Sequence, residues 1–189
     1  MRTPLPVDDL PAGCGISAAE FAALTCYCNA SDNGPDDERR ARLLGFGNGV
    51  KVAPGAIIRI GDNEIGENSF IGLYAYLNGD VRIGRNVLIG PHCSLPAGNH
   101  RFDPETQAFT RRDLARPITV GDGTWLGSGC TVTNGVAVGR CNLVCANAVI
   151  TRDTPDYAIM AGTPARQIGR IDPETGDYIW FDRKTEESR

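Results

Sequence analysis

From Val120 to Ile150 the chain reads V GDGTWL GSGCTV TNGVAV GRCNLV CANAVI, with an aliphatic residue closing every block of six. Those residues are Val120, Leu126, Val132, Val138, Val144 and Ile150. A helix repeats its apolar face every 3.6 residues and an amphipathic strand every 2, so neither produces a strict six. A short strand followed by a tight turn does. The aliphatic residue points inward, Gly, Asn or Asp makes the turn, and a small residue fits the crowded interior corner. Each unit buries little by itself, and stacking coil on coil builds the core. A β-sandwich of short strands would instead show irregular spacings of about 8–12 residues.

The same rhythm runs upstream through Ile65, Ile71, Leu77, Ile83, Ile89 and Leu95. Four places after each aliphatic residue stands a small or β-branched one: Ser69, Ala75, Val81, Val87, Cys93, then Thr124, Cys130, Val136 and Ala148. Asn142 is the polar exception in that series. The second run resumes one residue out of phase with the first, so the stretch between them, PAGNHRFDPETQAFTRRDLARPITV (96–120), holds a true insertion with no rungs in it. The expectation is an all-β solenoid over residues 51–171, with a protruding loop at 101–117 and His100 at its root.

The flanks read differently. Ser17-Ala-Ala-Glu20 is a capping box ahead of an apolar run, predicting a helix near 17–28. A second helix is expected over Asp36–Leu44, stopped by Gly45. Residues 1–50 would then form a helical cap over one open end of the sheet stack. The tail, 172–189, ends in charge and is expected to be partly disordered, with Trp180 and Phe181 able to pack back on the body.

Bulk properties narrow the function classes. The chain has 189 residues and a net charge of −4 from 19 basic and 23 acidic residues, which does not mark a nucleic-acid binder. The first residues lack the apolar core of a signal peptide, and no apolar run approaches membrane-spanning length. Seven cysteines, at 14, 26, 28, 93, 130, 141 and 145, match neither metal knuckles nor a disulfide scaffold. A reducing cytoplasm fits them. Cys93 and Cys130 fall on the small-residue position and read as packing residues, whereas Cys26 and Cys28 could be exposed. A catalytic zinc site generally takes three protein ligands, and only two histidines, His92 and His100, are present, so no metal is expected. His92 follows Pro91 at a turn position and reads as structural.

The hexads, together with IGRNVLIGPHCSL, NHRFDP, ITVGDGTWLGSGCTV, ANAVITRD and AGTPARQIGRI in that order, resemble the hexapeptide-repeat acyltransferases. The similarity is closest to the maltose and galactoside O-acetyltransferases and the related xenobiotic acetyltransferases. It implies a left-handed parallel β-helix of triangular section, a hand that crossover physics alone would not select. It also implies a homotrimer with sites between subunits and acetyl-CoA as co-substrate. By the same resemblance His100 is the general base, and imidazole titrates in the range that role needs. The coenzyme A groove falls on Gly127, Ser128, Ala146, Thr151, Arg152 and Arg166, with Trp125 as a wall.

The acceptor side departs from the family pattern. The stretch SFIGLYAYLNGDV is short and aromatic, and offers Tyr74, Tyr76, Asn78 and Asp80, to which the loop root adds Asn99 and Phe102. The activity implied is a cytoplasmic acetyl-CoA-dependent O-acetyltransferase acting on a sugar or glycosylated small molecule. N-acetylation of an amino-sugar or antibiotic, and a non-catalytic β-helical scaffold, remain open. The gamma-class carbonic anhydrases need a third histidine, and the long helical N-terminal domain of serine acetyltransferases has no counterpart.

Overall fold

The computed structural model describes residues 17–29, 34–61 and 65–181, and falls into two compact units that meet at Asp36 and Asp37. The first unit carries α1 (Ala18–Cys28). Its capping box is formed in both directions: the Ser17 hydroxyl accepts the Glu20 N–H at 3.2 Å, and the Glu20 carboxylate accepts the Ser17 N–H at 2.7 Å. That backbone N–H holds the Glu20 carboxyl below its usual range. Cys26 is exposed, while the Cys28 side chain lies outside the described set, as do residues 1–16.

α2 (Gly34–Leu43) starts two residues earlier than its sequence signals suggest, and Gly45 follows it at φ +86°. A left-handed residue of this kind ends helices because glycine has no Cβ to clash. Within the second unit Ala41 is buried in the core, and Arg40 pairs with Asp37 at 3.0 Å while donating to the carbonyl of Val52.

The solenoid strands are short. In chain order they are β1 (Lys51–Val52), β2 (Ile57–Arg59), β3 (Phe70–Ile71), β4 (Tyr76–Gly79), β5 (Val81–Ile83) and β6 (Leu88–Ile89). β7 (Ser94–Ala97) is followed by β8 (His100–Asp103) and β9 (Ala108–Asp113), which pair only with each other. The coils resume with β10 (Ile118–Val120), β11 (Trp125–Leu126), β12 (Thr131–Val132), β13 (Ala137–Val138), β14 (Leu143–Val144) and β15 (Val149–Ile150). β16 (Ala158–Gly162), β17 (Ala165–Ile171) and β18 (Tyr178–Trp180) close the chain.

These strands stack into three faces. Face one runs β1-β3-β6-β11-β14-β16-β17-β18, face two β15-β12-β7-β4-β2, and face three β13-β10-β5. Pairing is parallel through the coils, so Ile71 lies beside Ile89, Leu77 beside Leu95 and Leu126 beside Val144, each 18 residues on. Three hexads therefore make one coil. Across the insertion the step is 37, as in Ile89 beside Leu126, which is one coil of 18 plus 19 inserted residues, the length of three hexads and the one-residue phase change seen in the sequence.

All twelve hexad aliphatics are buried, and so are the ten residues of the small position, Asn142 included. Asn142 is tolerated because it is fully bonded. Its amide donates to Thr154 Oγ1 at 2.5 Å and its carbonyl accepts the Ala158 N–H at 2.8 Å. Those bonds bridge the last coil, where the step shortens to 16, Leu143 beside Ile159.

The corners explain the turn residues. Between faces one and two, Gly55, Tyr74, His92, Gly129 and Asn147 form a column with φ between +55° and +73°. Tyr and His are costly at such an angle, and here their rings stack at 5.3 Å. His92 is thus a corner residue, as the sequence suggested. The glycine after each aliphatic residue answers a separate demand. A Cβ on Gly90 would meet the Gly127 carbonyl carbon, the Leu126 oxygen and the Ser128 nitrogen, each at 2.8 Å.

Between faces three and one, charge alternates along the edge. Arg85 reaches the Asp122 carboxylate at 3.1 Å, and Arg140 reaches Asp156 at 2.9 Å. Both aspartates are held below the ordinary carboxylate range, first by the backbone N–H of Arg85 or Arg140 and then by its guanidinium. A lowered native pKa stabilises above the unfolded value of about 3.9 and is lost as pH falls through the native one. Thermal melts of the wild type and an Asp122→Asn/Asp156→Asn double variant should therefore differ near pH 6 and converge as pH falls below the ordinary carboxylate range. A difference unchanged down to pH 2 would show that the charges do not matter.

The described part of the tail pairs back on the solenoid. Residues 178–180 are a strand on β17, not a disordered segment, because Gly169 and Arg170 continue the sheet and pair with Trp180 and Ile179. Phe181 follows on the same edge, its N–H donating to the Ile168 carbonyl at 2.9 Å, while the Trp180 side chain stays 57% exposed. Residues 182–189 lie outside the described set.

Candidate functional site

The inserted loop is a β-hairpin that leaves the solenoid after β7 and re-enters at Ile118, on the edge between faces two and three. Ile118 donates its N–H to the Asp80 carbonyl at 2.9 Å, so Asp80 lies under the point of return. His100 is the first residue of β8 and is exposed. Its ring makes no hydrogen bond to a described residue. At the hairpin root the Asn99 carbonyl accepts the Leu114 N–H at 2.7 Å.

Further out, Phe102 and Phe109 meet edge to face at 5.5 Å. Asp103 shapes the tip by accepting the Glu105 N–H at 3.0 Å and the Thr106 hydroxyl at 2.9 Å, and these bonds lower its pKa in that order. A cleft of about 490 Å³ runs along the hairpin, lined by Arg101, Phe102, Asp103, Pro104, Glu105 and Thr110.

Four of the residues expected on the acceptor side gather at this edge. Asn78 pairs with Pro96 one coil along, which places it on the approach to His100. Asp80, Asn99 and Phe102 complete the group. The Asp80 carboxylate is already engaged by Arg82, at 3.1 and 3.2 Å. Tyr76 sits half-buried on face two between Ile57 and Ser94. Tyr74 is not with them. It belongs to the corner column on the far side of face two, because the left-handed turn there takes it out of the strand.

The residues assigned to coenzyme A occupy other edges. Trp125 is 49% exposed in the outer row of face one, between Leu88 and Leu143. Ser128 and Ala146 follow on the edge between faces one and two, where the Asn147 N–H donates to the Ser128 carbonyl at 2.8 Å. The backbone donors of Gly127 and Ser128 are engaged differently. Its N–H donates to Val144 at 2.8 Å and is not free to meet a ligand, whereas the N–H of Ser128 makes no bond to a described residue. Thr151, Arg152 and Arg166 come together in a cleft of about 230 Å³ at the C-terminal mouth of the solenoid, with Asp153 and Gln167.

Within one protomer, then, the width of face two separates His100 from Ser128 and Ala146. At about 3.3 Å per residue, four or five residues of strand and corner are on the order of 15 Å. Among the described residues no three His, Cys, Asp or Glu side chains cluster as metal ligands, and the two histidines sit on different edges.

Sequence reasoning missed Asn134, whose side chain grips the return limb of the hairpin. Its Oδ1 accepts the Arg116 N–H and its Nδ2 donates to the Leu114 carbonyl, both at 2.7 Å. The Asn134-Gly135 pair reads only as a turn. Nothing in the linear order reveals that its partners lie 18 and 20 residues back.

Two family profiles match the chain: bacterial transferase hexapeptide (six repeats) over residues 64–97, and hexapeptide repeat of succinyl-transferase over 117–152. They flank the hairpin on either side. The galactoside O-acetyltransferase of Escherichia coli is 31% identical over 145 residues, covering 75% of this chain and 71% of that protein. A yeast relative is spanned over 63% of its length. Among solved structures, a hexapeptide-repeat acetyltransferase from Vibrio cholerae superposes with a TM-score of 0.61 at 26% identity, over 82% of this chain and 90% of that one. The perosamine N-acetyltransferase of Caulobacter crescentus, solved with CoA and GDP-perosamine, gives 0.51 at 26% identity, over 69% and 61%.

Proposed function

The chain belongs to the hexapeptide-repeat acetyltransferases, with their left-handed parallel β-helix, and from that premise we propose that it is an acetyl-CoA-dependent O-acetyltransferase. The observation that carries this reading is His100. It is exposed at the root of the hairpin, just past the last rung before the smooth wall is interrupted; its ring makes no hydrogen bond to a described residue, and polar residues of the preceding coil stand beside it.

In the reaction His100 accepts the proton of an acceptor hydroxyl as that oxygen attacks the thioester carbonyl. The carbon–sulfur bond breaks, the ester forms, and the imidazolium returns the proton to the departing sulfur. Neutral imidazole suits both transfers. The Ser128 N–H is the available backbone donor on the donor side, and Arg152 and Arg166 supply cationic groups for the phosphates at the end of the groove.

The separation of His100 from Ser128 and Ala146 favours a site completed by a second copy. One copy would bring His100 and the hairpin, its neighbour the Trp125 face and the Ser128 edge. We read the assembly as a homotrimer in a reducing cytoplasm. Light scattering should then give three times the 20.2 kDa chain mass.

For the acceptor we favour a glycosylated metabolite or a nucleotide-linked sugar. Tyr76, Asn78 and the Phe102–Phe109 pair offer stacking faces and hydrogen bonds to something larger than a free mono- or disaccharide. N-acetylation is the second reading, favoured by the likeness to the perosamine enzyme. A panel of galactosides, maltose, nucleotide sugars, amino-sugars and glycosylated natural products, assayed by free thiol release, tests both. Hydroxylamine lability of the product separates ester from amide. Thiol release with none of them would remove the enzymatic reading, and a plain galactoside as best acceptor would remove the argument from the aromatic rungs.

The donor groove has its own test. Arg152→Ala and Arg166→Ala should each raise KM for acetyl-CoA by about 3–30-fold, or about 0.7–2 kcal/mol, which is a charge-assisted bond discounted for its exposure to water, and leave kcat near wild type. Unchanged KM in both variants would place the groove elsewhere.

A further inference from the structure

We infer that Asn134 is a positioning residue for the proposed base, fixing where His100 stands by clamping the far limb of the hairpin. The inference rests on the reading of His100 given above.

The hairpin ladder holds His100 at one point only, its pairing with Asp113. The register of β8 on β9 shifts between His100 and Phe102, so the regular ladder of the outer hairpin is not continuous with the pair at His100. The root is also fixed from the solenoid. Asn134 stands one coil beyond the root on the same edge, on a rung whose neighbours Val132 and Val136 are buried. Its planar amide holds two points of the return limb, the Arg116 N–H and the Leu114 carbonyl, each at 2.7 Å. Leu114 in turn donates its N–H to the carbonyl of Asn99 at 2.7 Å, and Asn99 is bonded covalently to His100. Two hydrogen bonds in series thus join a rigid rung to the backbone of the histidine.

The chemistry of the side chain is specific to the task. One partner is a donor and the other an acceptor, so the amide must present oxygen to Arg116 and nitrogen to Leu114. Aspartate can satisfy only the first. The neighbouring corner adds a steric stop. Gly135 has φ +82°, and a Cβ there would meet the Arg116 side chain at 3.1 Å, so that side chain lies close over the turn. A catalytic group needs such support from packed or bonded neighbours, and a displacement of about 1 Å can cost about 10²-fold in rate.

The test compares Asn134→Ala, Asn134→Asp, His100→Ala and Asn142→Ala in the full chain, with the best acceptor from the panel. Asn134→Ala should lower kcat by about 10–100-fold with KM for acetyl-CoA within about twofold, because the donor residues lie on other edges. Asn134→Asp, which keeps the bond to Arg116, should fall between Ala and wild type. Asn142→Ala is the structural control: it removes a buried bridge of the last coil, so it should lower Tm while the folded enzyme keeps its kcat. Hydrogen exchange gives a readout independent of turnover. The Leu114 and Arg116 amides should exchange at least about tenfold faster in Asn134→Ala, with the Leu126 amide unchanged.

The outcomes separate cleanly. Full activity in His100→Ala, with chemistry rate-limiting, would remove the base and the inference together. Loss in His100→Ala with wild-type turnover in Asn134→Ala would overturn the inference alone. Equal loss of kcat in the Asn134→Ala and Asn142→Ala variants would reduce Asn134 to fold maintenance, and unchanged exchange at Leu114 and Arg116 would show that it clamps nothing.

Discussion

Replacing His100 by alanine is expected to lower kcat by about 10²–10⁴-fold, the usual share of a positioned general base, and to leave Tm within a degree or two of wild type. The fold should not notice the change. The side chain is exposed, bonds to no described residue, and belongs to a hairpin that pairs only with itself. KM for acetyl-CoA should stay close to wild type, since Ser128, Ala146, Arg152 and Arg166 all stand elsewhere. Steady-state assays, with a pre-steady-state check that chemistry limits turnover, decide the matter. A loss of less than tenfold would return His100 to the role of a surface turn residue.

The largest expected effect on stability lies in the wall itself. Leu126 is fully buried in β11, between Ile89 on one coil and Val144 on the next. Leu126→Ala would open a cavity in a core only one triangle wide, where few neighbours can move to fill it. The expected cost is about 2–5 kcal/mol. Since each coil touches only the coils beside it, the loss also weakens the coupling between the stacks before and after the hairpin. Urea melts should show a lower midpoint, and an intermediate would mark the two stacks unfolding apart. A cost under about 1 kcal/mol would mean that the interior relaxes more than a close-packed solenoid can.

The wall was legible in the sequence because its inward positions recur at a fixed interval and any miss would show. The hexad aliphatics found by counting are the residues that fill the core, and the one-residue phase change marks the place where the chain leaves it. The first rungs are harder to see. Val52 and Ile58 are six apart, but Ile58 to Ile65 is seven, and that single extra residue breaks the count although the coil continues. The ends of α2 shifted by a residue or two because helix ends answer to local competition for backbone groups more than to composition. β18 was missed for a related reason: its pairing comes from β17, and a charged, aromatic segment carries no periodic signal by itself.

The candidate site was legible only where a residue type announces itself. A histidine at the break in a repeat invites a chemical reading. The amide of Asn134 does not, since its partners are distant in sequence and are backbone atoms. Tyr74 shows the opposite error. Counting along the chain placed it with Tyr76 and Asn78, yet the left-handed corner at φ +55° turns it onto a different edge.

The reversal at β17 bears on how this chain avoids its own kind. A parallel coil presents the same row of backbone donors and acceptors at each end of the stack, which would let one molecule continue another head to tail as an open filament. On face one the lane beyond β16 is filled by β17 running the opposite way, with β18 outside it. An incoming first coil, which offers β1 in the parallel sense, finds no matching edge there. On face one, the last strands therefore block parallel continuation of the stack.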